Sequence, residues 1–128
     1  MKWKEQRESV DSPVDEWFFQ RVYDQVALVP EGCVCTYGTI AELAGYPGKA
    51  REVGYAMSQV LPSQGLAAHR IVNAKGTLAP DSVFGGVGKQ RALLEAEGVT
   101  FAADGSINME RHLWPSREQE EPDQLILF

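Results

Sequence analysis

The chain has 128 residues, 44% of them hydrophobic, and a formal charge of −6 from 12 basic and 18 acidic side chains. That length supports one modest core, and the acidic balance argues against a protein that coats nucleic acid over its whole surface, although local patches can still be basic. No apolar run is long enough to span a bilayer, and the start MKWKEQRESVDS lacks the apolar stretch of a secretory leader, so a cytoplasmic protein with no membrane partner is expected.

Residues 1–12 are polar and mixed in charge and read as a flexible N-terminal segment ahead of a domain over 13–115. In "DSPVDEWFFQRVYDQVALVP", Asp11 or Ser12 can cap a helix with Pro13 in its first turn, and Val14, Trp17, Phe18, Val22 and Val26 recur at helical spacing until Pro30. "PEGCVCTYG" has a glycine turn followed by a short alternation compatible with a strand or an extended entry. Its Cys33 and Cys35 are too close to close a useful disulfide loop and two short of a four-cysteine zinc site, so neither a metal nor a cofactor is expected.

Two short helices follow. "YGTIAELAG" has Ile40, Leu43 and Ala44 as its apolar side, and "PGKAREVGYAMSQVL" has Ala50, Val53, Ala56, Met57 and Val60 spaced for burial. The Gly45-Tyr46-Pro47-Gly48 turn between them suggests a helix-turn-helix with the second helix as recognition element, a pattern that other helical hairpins share. From Thr36 to Gly76 the charges are Lys49, Arg51, Arg70 and Lys75 against Glu42 and Glu52, so this segment is net basic within an acidic chain.

In "AHRIVNAKGTLAP", Ile71, Leu78 and the Asn73-Ala74-Lys75-Gly76 turn predict a short β-hairpin. A further helix is expected from about Val87 to Glu97, stopped by Gly98. The preceding Gly85-Gly86-Val87-Gly88 lacks the ending of a nucleotide-binding loop and reads as a helix start. "GSINMERHLWP" reads as a last strand or short helix whose Leu113 and Trp114 cover the core.

Three motifs in this order and spacing, "VPEGCVCTYGTIAELAGYPGKAREVGYAMSQ", "AHRIVNAKG" and "FGGVGKQRALLEAEGV", resemble the DNA-binding domain of the O6-alkylguanine-DNA alkyltransferases, and more closely their shorter alkyltransferase-like relatives. The resemblance spans about residues 14–101. It implies a mainly α, winged-helix-like helix-turn-helix domain of the DNA alkyltransferase type, with the short β-hairpin. Alkyltransferases carry Pro-Cys-His-Arg where this chain has Ala67, Ala68, His69 and Arg70, and their cysteine accepts the alkyl group from a damaged guanine. The methyl of Ala68 has no lone pair with which to attack carbon. The resemblance therefore implies a protein with no catalytic residue, which extrudes O6-alkylguanine from double-stranded DNA, holds it and presents it to nucleotide excision repair proteins. A monomer is expected.

Carried over position by position, the resemblance gives Arg51 the role of the arginine that fills the gap left by the flipped base, and Tyr37 that of the tyrosine that helps rotate the neighbouring phosphate. Lys49, Ala50 and Gly54 complete the minor-groove face. The lesion pocket comprises Ala67, Ala68, His69, Arg70, Val83, Phe84 and Glu97, with Glu97 orienting the His69 imidazole. Glu52 stands where a small residue is common and would repel phosphate unless it points aside. Ala68, smaller than the family's Cys or Trp, implies a roomier pocket.

The acidic tail, 116–128, ends in QLILF. Gln124, Leu125, Leu127 and Phe128 either pack back on the domain or resemble the short peptide by which bacterial repair proteins dock on the DNA sliding clamp. Two other readings of the whole chain stand beside lesion binding: a helix-turn-helix transcription regulator, and a scaffold that no longer binds DNA.

Overall fold

The computed structural model describes residues 14–79 and 88–115. In chain order the elements are α1 (Phe18–Val26), β1 (Cys35–Thr36), α2 (Tyr37–Ala44), α3 (Ala50–Ser58), 3-10 turns at Pro62–Gln64 and Ala68–Arg70, β2 (Ile71–Val72), α4 (Lys89–Ala96) and α5 (Met109–His112). The mainly helical architecture expected from the sequence is present.

Helix α1 buries Phe18, Val22 and Val26, one stripe at four-residue spacing. Trp17, expected on that stripe, is instead 57% exposed, because it lies one position off the stripe at the helix start. The start itself is made by Asp15, whose Oδ1 accepts from the Trp17 amide at 3.1 Å and whose carbonyl accepts from the Phe18 amide at 3.2 Å. The expected caps Asp11 and Ser12, with Pro13, lie outside the described residues.

Helix α2 begins where the sequence placed it, with the Thr36 hydroxyl accepting from the Thr39 amide at 3.1 Å. It ends at Gly45, whose φ of 96° lies in the left-handed region. Its buried side is Ile40, Ala41 and Ala44, and the expected Leu43 is 44% exposed. Helix α3 buries Val53, Ala56 and Met57, with Val60 partly buried behind them. Tyr46 in the intervening turn packs edge-on against Phe18, ring centres 4.9 Å apart, and donates its hydroxyl to Asp15 at 2.6 Å, fixing the pair of helices against the start of α1. Burial of each large side chain in this cluster contributes about 2 kcal/mol.

The expected β-hairpin at 71–78 is not formed. Ile71 and Val72 pair in parallel with Cys35 and Thr36 instead, a two-stranded sheet between segments far apart in sequence. The turn after β2 does exist: the Asn73 side-chain oxygen accepts from the amides of Lys75 and Thr77, both at 3.0 Å. The chain leaving it runs toward Ile107, whose amide donates to the Gly76 carbonyl at 3.0 Å, rather than back along β2. Gly76 has a φ of 76°, and a Cβ there would meet the Met109 side chain at 2.9 Å, so close packing and backbone conformation both require glycine.

A second cluster of Val34, Val72, Leu94, Val99 and Ile107 lies on the other side of the sheet. Buried His112 ties it to the loop before β1: its Nδ1 donates to the Gly32 carbonyl at 3.0 Å and its Nε2 accepts from the Thr100 amide at 3.0 Å. The short-helix alternative for the last segment is the one adopted, and Trp114 packs against the first cluster as expected. Among the described residues no helix is long and apolar enough to cross a membrane.

Candidate nucleic-acid interface and pocket

With Val53, Ala56 and Met57 facing the core, helical geometry turns Arg51, Gly54, Tyr55 and Ser58 outward on α3. Arg51 is exposed, and its side chain makes no hydrogen bond or ion pair among the described residues. Gly54 sits mid-helix, where glycine costs about 1 kcal/mol relative to alanine. Among the described residues nothing lies within 4 Å of a Cβ built on it, so none of them requires its lack of a side chain. Gly54→Ala should therefore raise folding stability by about 0.5–1 kcal/mol, and Gly54→Leu should weaken DNA binding while leaving the fold intact. Thermal melts paired with DNA titrations check both; unchanged DNA affinity in the leucine variant would exclude Gly54 from the interface.

Glu52 lies about 100° around the helix from Arg51 and lines a cleft of about 410 Å³ with Val14, Asp15, Phe18, Phe19 and Tyr55. It therefore faces the cleft between α3 and the start of α1. Lys49 precedes the first residue of α3, and Ala50 is half-buried. Tyr37 opens α2, half-buried against the core, and burial pushes its hydroxyl pKa up. It shares no hydrogen bond with Arg51.

The residues expected at the pocket converge more tightly. Ala68, His69 and Arg70 form one 3-10 turn leading into β2, and Ala68 is buried. A carboxylate only accepts, so His69 Nε2 donates to Glu97 Oε2, at 2.8 Å. Arg70 donates from Nε to Oε1 at 2.9 Å and from Nη2 to Oε2 at 2.8 Å, a two-pronged pair, while its Nη1 reaches the Val29 carbonyl at 2.8 Å. Burial pushes the Glu97 carboxyl up, but the hydrogen bonds and charges of Arg70 and His69 outweigh it and take the pKa from 4.5 to about 2. Glu97 thus joins the end of α4, the 3-10 turn and the loop after α1.

Gln90, which the sequence reading missed, is buried on α4. It donates from Nε2 to the His69 carbonyl at 3.0 Å and accepts from the Ala79 amide at 2.8 Å. It ties the turn to the segment at Ala79; one glutamine on a polar helix gives no sequence signal for that role. Cys35 is a core residue whose thiol burial holds at about 11, and Cys33 is half-buried. Val83 and Phe84, the remaining expected pocket residues, and Gln124, Leu125, Leu127 and Phe128 lie outside the described residues.

Residues 17–99 match the model of the 6-O-methylguanine DNA methyltransferase DNA-binding domain. The chain belongs to that family. Within the methyltransferase family it is similar to alkyltransferase-like protein 1 of Schizosaccharomyces pombe, 37% identical over 101 residues that cover 76% of this chain and 94% of the relative. It is 41% identical over 103 residues to the DNA base-flipping protein of Escherichia coli, covering 78% of this chain and 76% of that one. Among solved structures it is similar to S. pombe Atl1 in complex with damaged DNA containing O6-carboxymethylguanine, with a TM-score of 0.69, 35% identity, and coverage of 80% of this chain and 98% of that chain. The Mycobacterium tuberculosis O6-methylguanine methyltransferase gives a TM-score of 0.57 at 36% identity, and the alignment covers 66% of this chain but only 50% of that enzyme. The methyltransferase-type domain thus accounts for every described element from α1 to α4.

Proposed function

We propose that this protein recognises O6-alkylguanine in double-stranded DNA, extrudes the damaged nucleotide and holds it without transferring the alkyl group. The observation that carries this reading is the likeness, over 80% of the chain, to a protein solved on DNA containing O6-carboxymethylguanine. The outward face of α3 supports it. One long cation, Arg51, stands beside an open Gly54, which suits insertion into a minor groove better than the row of polar readers a major-groove regulator presents. A base edge inside a stacked duplex is out of reach, and a lesion that weakens pairing lowers the cost of extrusion. Of the three features behind the scaffold reading, Glu52, the acidic net charge and the tail, the first lines the cleft beside α1, and direct DNA binding distinguishes the two readings.

Alkyl transfer requires a nucleophile at the pocket turn. Ala68 supplies none, and the Cys35 thiol is buried and held protonated. The network of His69, Arg70 and Glu97 therefore holds the pocket wall rather than activating sulfur, and we infer from the small size of Ala68 that the pocket admits adducts larger than methyl. Because such a protein repairs nothing itself, the held lesion must pass to a second system, and nucleotide excision repair, which removes the damaged strand segment, is the fitting class. The QLILF end is proposed to dock on a sliding clamp, raising the effective concentration at replicating DNA. Deleting residues 124–128 should abolish binding to a purified clamp, and unchanged binding would remove this part of the proposal.

Base extrusion is tested with 2-aminopurine placed next to O6-methylguanine, since its fluorescence rises when its neighbour leaves the stack. The wild-type protein should raise the signal, and Arg51→Ala should not. A bound complex with no change in signal would overturn extrusion.

A further inference from the structure

Tyr55 lies one turn beyond Arg51 on α3, about 40° around the helix and about 6 Å along its axis. It is 60% exposed, on a helix whose opposite side is core. Its ring is braced from one side by Phe19 of α1, with centres 6.1 Å apart, and Phe19 in turn packs against Tyr23 at 5.8 Å. The ring also forms one wall of the cleft lined by Asp15, Glu16 and Glu52, so one of its sides faces that cleft and its exposed side lies toward Arg51. Next to it, Gly54 leaves the helix backbone open.

From this arrangement we infer that Tyr55 is a DNA-contacting residue, which lays its ring against the sugar and base edges of the strand beside the one Arg51 enters. The inference rests on the proposed DNA-binding role of α3. A rigid aromatic ring with two rotatable bonds loses little entropy on contact, and its apolar face suits deoxyribose, whereas phosphate is met by cations. The contact is indifferent to the lesion, since it falls on the flanking duplex. It adds affinity to damaged and undamaged DNA alike, and Arg51 supplies the discrimination. Because Tyr55 carries no charge, it releases no counterion, so its contribution does not change with salt.

Titration of Tyr55→Ala and Tyr55→Phe against a duplex containing O6-methylguanine and its unmodified counterpart, at several salt concentrations, tests this. Tyr55→Ala should weaken binding to both duplexes by about tenfold, the scale of an aromatic contact to nucleic acid, with the slope of log affinity against log salt unchanged. Tyr55→Phe should stay within twofold of wild type. Circular dichroism should show the alanine variant as folded as wild type, since alanine favours the helix. Alanine-variant affinities within twofold of wild type on both duplexes would overturn the inference. A wild-type protein that binds both duplexes equally would count against lesion recognition and leave the Tyr55 result readable on either duplex.

Discussion

Replacing Glu97 with alanine is expected to destabilise the domain by about 3 kcal/mol at neutral pH. The carboxylate accepts two hydrogen bonds from Arg70 and one from His69, and its removal leaves a largely buried guanidinium with only the Val29 carbonyl. Breaking one side of such a pair typically costs about 3–5 kcal/mol. The pKa gives a similar figure: a carboxyl lowered from 4.5 to about 2 contributes about 3 kcal/mol when ionised, and at 13% side-chain exposure solvent screens little of it. The sign follows from the direction of that shift. A depressed carboxyl stabilises the fold fully above about pH 4.5, and the contribution is lost as the pH falls toward about 2. Urea unfolding between about pH 7 and about pH 3 should therefore show a loss of stability in the wild-type protein that is reduced in Glu97→Ala. A cost below about 1 kcal/mol with parallel pH profiles would show that the triad holds nothing in place.

The Ala67→Pro, Ala68→Cys double variant is expected to gain an activity that the wild-type chain lacks. His69 and Glu97 are 2.8 Å apart, so the imidazole next to position 68 is already oriented. A cysteine sulfur introduced there, as thiolate, would attack the methyl carbon of O6-methylguanine. A carbon–sulfur bond would form as the bond from carbon to O6 breaks, and the guanine would leave with the electron pair and take up a proton. Transfer of one radiolabelled methyl group per protein, against none for wild type, is the predicted outcome. No label on a double variant that still binds the lesion as wild type does would contradict the view that the pocket turn retains a working geometry.

The legible parts of this fold were those written in local patterns. The YGTIAELAG segment closed by Gly45 reads directly as α2, and α3 follows from its own apolar spacing, whereas the Thr36 hydroxyl cap of α2 went unread. The parallel pairing of β1 with β2 was not legible, since Cys35 meets Ile71 across the intervening helices and a two-residue strand carries no periodicity of its own. Among pocket residues, Ala68, His69, Arg70 and Glu97 were named from motif resemblance, and the structure brings His69, Arg70 and Glu97 into contact. The parts supplied by backbone carbonyls and by Gln90 depend on tertiary approach and left no trace in the pattern. Tyr55 could have been found: an aromatic four residues after Arg51, off the apolar stripe of the same helix, is outward by geometry alone.

The central claim is that α3 and the pocket turn recognise a damaged base. Its most direct test is an equilibrium fluorescence titration with two duplexes that differ only in one O6-methylguanine, at a fixed moderate salt concentration, with wild-type protein and Arg51→Ala. The account predicts tighter binding to the lesion by wild type and loss of that preference in Arg51→Ala. Equal affinity of the wild-type protein for the two duplexes would contradict it.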